Sequence, residues 1–336
     1  MRHFVKRGDE VHIASLVNAP IEGATVHPFW RPTGTKLDYF ANMGRVKELI
    51  KVLQPEILHA HYATSYGFLG GLTNYHPYIV STWGMDVLGF PETSSLHRRL
   101  LIWNLSKADA VCATSRQLGK ATDSYLHNES KSIITPFGAD LSVFKPFEHD
   151  KKDSLTIGIV KSLEPKYGIE YLIRAFARVK KIKPNLKLLI VGSGSLRDEL
   201  QKLAANLGIS GQTRFAGRVP HDEVPNCLHQ IDIFVNPSIH ESETFGVAVL
   251  EASACELPVI TSDIGGLPEV VQEGITGFLI LPRDVEGLAE KLELLIQNAD
   301  LRQKMGKAGR EFVKKSYDWN ENAKIMENLY DSLIKK

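Results

Sequence analysis

The sequence lacks the features that mark several classes of protein. Its 336 residues include only three cysteines, the scattered Cys112, Cys227 and Cys255, which excludes a disulfide framework and favours buried thiols in a reducing compartment. No apolar run approaches the ~18 residues needed to span a bilayer, and the basic start Met1–Arg7 lacks the apolar core of a signal peptide. The formal net charge is +1, so no overall field favours nucleic acid or an anionic membrane. We therefore expect a cytosolic protein that does not bind nucleic acid.

Several catalytic signatures are also missing, because the chain has no nucleophile elbow, Walker loop or CxxC pair. His59 and His61 share one face of a short predicted strand, but no further metal ligands can be placed, so packed histidines are favoured over a metal site. The turn Val191-Gly-Ser-Gly-Ser begins like a dinucleotide fingerprint. Arg197 stands where a third small residue is needed, and no acid follows ~20 residues later. A glycine turn near a phosphate or sugar, or a purely structural turn, fits better.

What the chain does have is a regular alternation of strand and helix patterns. The hydrophobic fraction of 43% and charged fraction of 24% are ordinary for a globular protein, and the length favours two domains. The alternation predicts parallel sheets wrapped by helices, hence an α/β fold with a ligand cleft between two similar halves. A polar linker around residues 145–154 places the boundary, giving domains 1–148 and 149–316 and a final helix in 317–336.

The first residues resemble the end of a helix, since Gly8 is placed as its C-cap and the strand Glu10–Val17 follows. An α/β domain normally begins with a strand and a ligand-facing loop. We therefore expect the first domain to be N-terminally shortened. Further along, Lys36–Leu53 is predicted as one helix, and the amphipathic segment His97–Lys107 as a helix that either covers a sheet or lies on a membrane or acceptor surface.

The stretch Glu243–Ala254 organises the second domain. Val247, Leu250 and Ala254 fall at helical spacing, which predicts a helix over Thr244–Ala254 with one carboxylate before its start and another, Glu251, along it. A helix N-terminus suits a phosphate because its N–H groups lack intrahelical partners. The pattern is equally consistent with an acid that favours the helix dipole and one solvated Glu.

Two further features at predicted strand ends fit a phosphorylated ligand. Lys161 and Lys166 follow the first strand of the second domain, Leu155–Val160, where ligands bind in open parallel sheets, although two solvated lysines remain an alternative. Gly265 and Gly266 permit a backbone close to a ligand or a structural turn. In the first domain, Asp86 follows the strand Tyr78–Trp83 and is placed to face the cleft.

Together these residues resemble the family 4 glycosyltransferases, retaining enzymes of the GT-B fold. The resemblance is strongest between Leu155 and Trp319. It rests there on Lys161-Ser-Leu-Glu-Pro-Lys-Tyr-Gly, Val191-Gly-Ser-Gly, Phe215-Ala-Gly-Arg-Val, Asn236-Pro-Ser, Glu243-Thr-Phe-Gly with Leu250-Glu-Ala-Ser-Ala, and Gly265-Gly-Leu-Pro-Glu with Gly274-Ile-Thr-Gly-Phe-Leu. The first half matches more loosely, through His59-Ala-His-Tyr, Trp83-Gly-Met-Asp and Pro136-Phe-Gly-Ala-Asp.

The resemblance implies a GT-B architecture of two Rossmann-like domains that face each other across a cleft, with the last helix crossing back to the first domain. It implies that Glu251 holds the ribose of a nucleotide-diphosphate sugar, that Glu243 holds the transferred sugar or phosphate, and that the two lysines clamp the diphosphate. No cofactor and no metal are expected. The implied residues are Glu243, Lys166 and Lys161 as catalytic, Glu251, Thr244, Phe245, Gly246, Val247, Val219, Gly192 and Gly194 as donor-binding, and Trp83, Asp86 and His61 on the acceptor side.

Two departures from the family pattern stand out. Many relatives carry His-Gly where this chain has Trp83-Gly84, and relatives begin with a strand and a glycine-rich loop ahead of the helix that ends at Arg7. The expected function is a retaining glycosyltransferase that moves a sugar from a UDP- or GDP-sugar to a glycan or lipid-linked acceptor in cell-surface polysaccharide assembly. Peripheral association with the inner face of the plasma membrane stays open. A binding protein that cannot transfer the sugar, and a nucleotide-sugar epimerase, are the alternatives.

Overall fold

The structure, a computed structural model, describes residues 2–35, 37–126, 131–147, 154–183 and 185–335. The chain forms two compact units, one of Met1–Pro136 with Asn320–Lys336 and the other of Phe137–Trp319. These limits differ from the expected divisions at 148/149 and 316/317. The reason is a backbone pairing in which the N–H of Ala139 donates to the carbonyl of Tyr317 and the N–H of Trp319 donates to the carbonyl of Ala139. That pairing holds the segment after Pro136 on the second unit.

The first unit begins with a short helix whose end is capped as expected. Gly8 has a φ of +97°, and the N–H of Asp9 donates to the carbonyl of Phe4, which closes the last turn. The elements of this unit are helix α1 (Arg2–Arg7), strands β1 (His12–Ser15) and β2 (Thr25–Pro28), helices α2 (Leu37–Ala41) and α3 (Met43–Leu53), strand β3 (Leu58–His61), helix α4 (Ser65–Thr73), strand β4 (Tyr78–Thr82), helices α5 (Met85–Leu88) and α6 (Ser95–Leu105), strand β5 (Ala110–Ala113), helix α7 (Arg116–Asp123) and strand β6 (Ile133–Ile134).

Parallel strands make up both sheets described in the first unit, β1-β2 and β3-β4-β5-β6. Every residue of β4 is buried, as expected for a parallel strand covered on both faces. Two features differ from the sequence prediction. β2 was not predicted, and the helix expected over Lys36–Leu53 is interrupted at Asn42, whose side-chain amide donates to the carbonyls of Asp38 and Trp30.

The second unit is a doubly wound sheet. Its elements are strand β7 (Leu155–Val160), helix α8 (Ile169–Val179), strand β8 (Leu186–Val191), helix α9 (Arg197–Asn206), strand β9 (Thr213–Gly217), helix α10 (Val224–Leu228), strand β10 (Ile233–Asn236), helix α11 (Val247–Ala254), strands β11 (Val259–Ser262) and β12 (Gly277–Ile280), and helices α12 (Val285–Gln297) and α13 (Ala299–Ser316). Short 3₁₀ turns occupy Pro165–Tyr167, Ser210–Gln212, His221–Glu223 and Leu267–Val270 in this unit, and Phe90–Glu92 in the first unit.

The order of these parallel strands is β12-β11-β10-β7-β8-β9. This is the Rossmann order, in which the chain works outwards from β7 in one direction and then from β10 in the other. The neighbouring strands β7 and β10 therefore form the topological switch point, and ligands bind outside the carboxyl ends of strands there. Buried residues pack against both faces of the sheet.

The terminal helix α14 (Trp319–Ile334) packs within the first unit for most of its length. The hydroxyl of Tyr330 lies 2.6 Å from Nδ1 of His59, and its ring stacks on Phe4 at 4.9 Å. Of the helices in the described ranges, none has both the length and the apolar character of a membrane span.

Candidate functional site

The switch point of the second unit brings two predicted site residues together. Lys161 directly follows β7, and Glu243 lies in the loop that leads from β10 to α11. Nζ of Lys161 lies 2.6 Å from Oε1 of Glu243, and the two side chains are only 16% and 9% exposed. The family resemblance implied Lys161 for the diphosphate and Glu243 for the transferred sugar or the phosphate, but not that the two residues form an ion pair.

Both predicted lysines lie against the same aromatic ring. The ammonium groups of Lys161 and Lys166 lie 4.6 Å and 4.9 Å from the ring centroid of Tyr167, within the range of a cation–π contact. The loop is fixed on the segment after β10, because the N–H of Ile239 donates to the carbonyl of Lys166 at 2.9 Å. Gly168, with a φ of +60°, passes so close that a Cβ there would lie 2.2 Å from the carbonyl oxygen of Pro237. The sequence prediction did not include Tyr167, although its position between Lys166 and Gly168 could have indicated it.

The glycine turn after β8 packs on the backbone next to Lys161. A Cβ on Gly192, whose φ is +144°, would lie 1.9 Å from the carbonyl oxygen of Lys161, and one on Gly194 would lie 2.4 Å from that of Leu163. The structural turn left open by the sequence therefore exists, while a direct contact of these glycines with a ligand stays a prediction. A pocket of about 430 Å³ opens at this point, lined by Val160, Lys161, Ser162, Val191, Gly192, Ser193, Arg218, Val219 and Val224.

Helix α11 begins at Val247, three residues later than predicted. The preceding residues form a turn that lies on the Gly265-Gly266 loop, where the N–H of Gly266 donates to the carbonyl of Glu243 at 2.9 Å. A Cβ on Gly266 would lie 2.0 Å from the carbonyl oxygen of Thr244. This close packing holds Thr244 and Gly246 in the turn, and it positions the start of the helix next to Glu243.

Phe245 and Glu251 are both buried, with different consequences. The ring of Phe245 packs edge-on against Phe137 and Tyr317, each at 5.7 Å, so its side chain belongs to the core and its backbone is what the loop can present. Glu251 is the fifth residue of α11, and its Oε1 lies 2.8 Å from Nε2 of His221. The solvated Glu that the spacing left open is therefore excluded. His221 follows β9 in the loop that carries Val219, and the sequence prediction did not include it.

In the first unit, two of the three residues expected on the acceptor side lie together. The rings of His61 and Trp83 are 5.6 Å apart, and those of His59 and His61 are 4.2 Å apart. Burial lowers the pKa of His61 to about 4, so its imidazole is neutral. Trp83 is 46% exposed. The packed-histidine interpretation fits this arrangement, and in the described ranges no three histidine, cysteine or acidic side chains come together as a metal site.

Asp86 requires a correction. Its side chain is fully buried, and its carboxylate accepts hydrogen bonds from the backbone N–H groups of Ala63, Trp83 and Gly84. Burial raises its pKa, and these donors oppose the rise. The carboxylate therefore fixes the loop that carries Trp83, and it is not placed to contact an acceptor as predicted. Asp86 does lie after the end of β4, as predicted. The direction of its side chain, however, is set by the loop after β3, which supplies the N–H of Ala63.

Models of two sequence families match this chain. The one described as glycosyl transferases group 1 matches residues 143–312, and the one described as glycosyl transferase 4-like matches residues 1–115. The chain is also similar to an uncharacterised glycosyltransferase of Methanocaldococcus jannaschii, with 29% identity over 301 residues that cover 88% of this chain and 81% of the relative.

Solved structures show the same fold. Sucrose-phosphate synthase from Thermosynechococcus elongatus matches with a TM-score of 0.86 and 21% identity, over 99% of this chain and 91% of that one. The Anabaena protein HepE, solved in complex with UDP-glucose, matches with a TM-score of 0.81 and 20% identity, over 98% and 93% of the two chains. The two Rossmann-like units are thus those of the GT-B fold, and the chain belongs to the group 1 glycosyltransferases of family 4.

Proposed function

We propose that this glycosyltransferase moves a sugar, with retention of configuration, from a UDP- or GDP-sugar to a glycan or lipid-linked acceptor in cell-surface polysaccharide assembly. The observation that carries the proposal is the Lys161–Glu243 ion pair at the switch point, next to the start of α11. A cation for the diphosphate and a carboxylate for sugar hydroxyls are what a nucleotide-diphosphate sugar requires in one place. The HepE structure with UDP-glucose supports this class of donor.

In the proposed mechanism, Lys161 and Lys166 bind the diphosphate and stabilise the charge that develops on it as the glycosidic bond breaks. Such stabilisation acts mainly on the transition state because the charge increases there. The first N–H groups of α11 add a fixed positive potential at the same point. Glu243 orients the transferred sugar, and Glu251, held by His221, binds the ribose hydroxyls. The acceptor hydroxyl attacks from the face that the diphosphate leaves, and no metal or cofactor is required.

Reducing conditions suit the described cysteines, which are all free and buried. A cytosolic location, with peripheral association at the inner face of the plasma membrane, belongs to the same proposal. The function is tested by incubating UDP- and GDP-sugars with candidate acceptors and following nucleotide release and the anomeric configuration of the product. Glu243→Ala and Lys166→Ala should each reduce transfer by roughly 10²-fold or more, whereas Glu241→Ala, an exposed acid in the same loop, should not.

Unchanged rates in both site variants would contradict the assigned roles. Calorimetry with UDP and GDP on the same samples separates transfer from binding alone, since a binding protein would retain the affinity and show no turnover. Product analysis without any acceptor would expose an epimerase.

A further inference from the structure

The first unit contains a large pocket that the function described so far does not use. Its volume is about 580 Å³, within the ~300–1,000 Å³ range of small-molecule sites. Tyr62, Ala63, Thr64 and Ser65 line it directly after β3, and Met85 lines it just after β4. It therefore opens at the carboxyl ends of parallel strands, where α/β domains bind their ligands.

Most of the wall of this pocket is apolar. Its large hydrophobic side chains are Phe40, Phe68, Met85, Phe90, Leu100 and Leu101, and the hydrogen-bonding side chains that also line it are Tyr39, Tyr62, Thr64, Ser65, Thr93 and His97. The rings of Phe40 and Phe68 are 5.4 Å apart in an edge-on contact. Among the described residues that line it, none is Asp, Glu, Lys or Arg. Two of the apolar lining residues, Phe40 and Met85, are 55% and 42% exposed, and exposed apolar residues that lie together mark binding sites.

Tyr62 shows that this wall is held in place by the backbone. Its φ is +85°, a conformation that a bulky residue rarely adopts and that is found preferentially at functional sites. The N–H of Tyr62 donates to the carbonyl of Ser81 at 2.8 Å, and the N–H of Gly67 donates to the carbonyl of Tyr62 at 3.0 Å. The strained residue is thereby fixed between β4 and α4 while it lines the pocket.

We propose that this pocket binds the hydrocarbon chain of a lipid-linked acceptor, an inference that rests on the proposed function and selects between its two acceptor classes. A hydrocarbon chain gains free energy at an apolar wall in proportion to the area that it buries. At the apolar part of the wall, a free glycan would lose water from its hydroxyl groups without gaining hydrogen bonds in return. The hydroxyls of Tyr62, Thr64 and Ser65, on the strand-end side of the pocket, suit the polar head to which the chain is attached.

The test is the affinity of the intact protein for butyl, hexyl and octyl glucoside, measured by calorimetry below the concentration at which micelles form. Burial of each methylene should strengthen binding about fourfold until the chain outgrows the pocket. Leu100→Gln should remove most of this dependence on chain length, and Phe40→Ser, a change at an exposed position, should weaken octyl glucoside binding without affecting folding.

Leu96→Gln is the matched control. Leu96 lies one turn earlier on the same helix, is 62% exposed, and is not among the described lining residues. An affinity that does not depend on chain length, or an equal loss in the Leu96 and Leu100 variants, would overturn the proposal. Octanoate binding more tightly than octyl glucoside would assign the pocket to a free fatty acid and also overturn it. UDP and GDP titrations on the same samples report on the proposed function separately, because that site lies in the other unit.

Discussion

For the Lys161–Glu243 ion pair, we predict that substitutions change the stability of the protein and its affinity for UDP in different ways. The perturbation is a double-mutant cycle with Glu243→Gln, Lys161→Met and the two changes combined. In the intact pair, Nζ of Lys161 and Oε1 of Glu243 are 2.6 Å apart. Each single change leaves the other member of the pair mostly buried and without this partner. The combined change removes both charges, so we expect the double variant to be more stable than the sum of the single effects implies.

The magnitude follows from the burial of the pair. A hydrogen bond to a charged group contributes ~1.5–3 kcal/mol, and removing one partner of a buried pair costs ~3–5 kcal/mol. The Tyr167 ring, 4.6 Å from the Lys161 ammonium, offsets ~0.5–2 kcal/mol of that cost. Glu243→Gln, which keeps the ammonium over the ring, should therefore lose ~2–4 kcal/mol, and Lys161→Met, which removes it, should lose the full ~3–5 kcal/mol. In a unit of this size, that loss lowers the melting temperature by on the order of 10 °C.

UDP affinity should rise in Glu243→Gln, although its stability falls, whereas both quantities should fall in Lys161→Met. In the structure, the Lys161 ammonium forms an ion pair with Glu243, which competes with a diphosphate for the same cation. Glu243→Gln makes that charge available to a diphosphate, so UDP should bind several-fold more tightly although the protein is less stable. Lys161→Met removes the cation and should weaken UDP binding at least tenfold, the equivalent of one charge-assisted bond. Transfer should be lost in both variants.

The assays are thermal unfolding and calorimetric titration of UDP on the same four proteins, with Glu241→Gln as the exposed control in the same loop. Stability effects that add within ~0.5 kcal/mol would show that the pair is not energetically coupled. Weaker UDP binding in Glu243→Gln would show that Glu243 itself contributes to holding the diphosphate, which would refute the competition between the two ligands of Lys161.

Three other predictions concern single residues. Burial lowers the pKa of His61 to about 4, against ~6.5 in the unfolded chain. As the pH falls, the unfolded state therefore takes up the proton first, and the free energy of unfolding of the first unit should fall by about 2 kcal/mol between pH 7 and pH 5. Melting temperatures measured across this pH range should depend less on pH in His61→Asn. Asp86→Ala leaves the N–H groups of Ala63, Trp83 and Gly84 without their acceptor and should cost at least ~3 kcal/mol in denaturant unfolding; a cost below ~1 kcal/mol would mean that water replaces the carboxylate. Gly192→Ala should destabilise the second unit by at least ~2 kcal/mol, whereas Gly211→Ala, where a Cβ meets nothing within 4 Å, should be close to neutral.

The local structure was predictable where the chain has a continuous apolar run. Strands β7 and β12 have the predicted bounds, Leu155–Val160 and Gly277–Ile280, and α14 covers Trp319–Ile334 as predicted. Strand β2 was missed because Thr25-Val-His-Pro has one large aliphatic residue and ends in proline, which normally argues against a strand. β2 forms because it pairs with β1, which is a tertiary contact that the local sequence pattern does not predict.

The start of α11 shows the same limit at the site. Helical spacing predicted a start at Thr244, and the structure begins the helix at Val247. The difference comes from the Gly265-Gly266 loop, which holds the residues before Val247 in a turn. Periodicity describes which residues favour a helix, but it contains no information about a neighbouring loop that competes for the first turn.

Contacts between distant loops were the hardest to foresee. Lys161 and Glu243 are 82 positions apart, and His221 and Glu251 are 30 apart. The sequence singled out three of these four residues, by their positions and by the family resemblance, yet neither pairing could be predicted from it. The Lys161–Glu243 pairing follows from the strand order, which places β7 next to β10. That order cannot be read from one sequence, because both domain halves show the same alternation of strand and helix.

The two pairings also change how the two acids act. Each carboxylate of the Glu243–Glu251 stretch is buried and has a partner, Lys161 for Glu243 and His221 for Glu251. A buried carboxylate without a partner would be costly. The hydrogen bonds from Lys161 and His221 offset that cost for Glu243 and Glu251. Under the proposed function, a nucleotide-diphosphate sugar that binds there would exchange these partners: its phosphates would meet Lys161, its sugar hydroxyls Glu243, and its ribose Glu251. Each exchange would replace one hydrogen bond to a buried carboxylate with another, so the bound donor would leave neither acid without a partner.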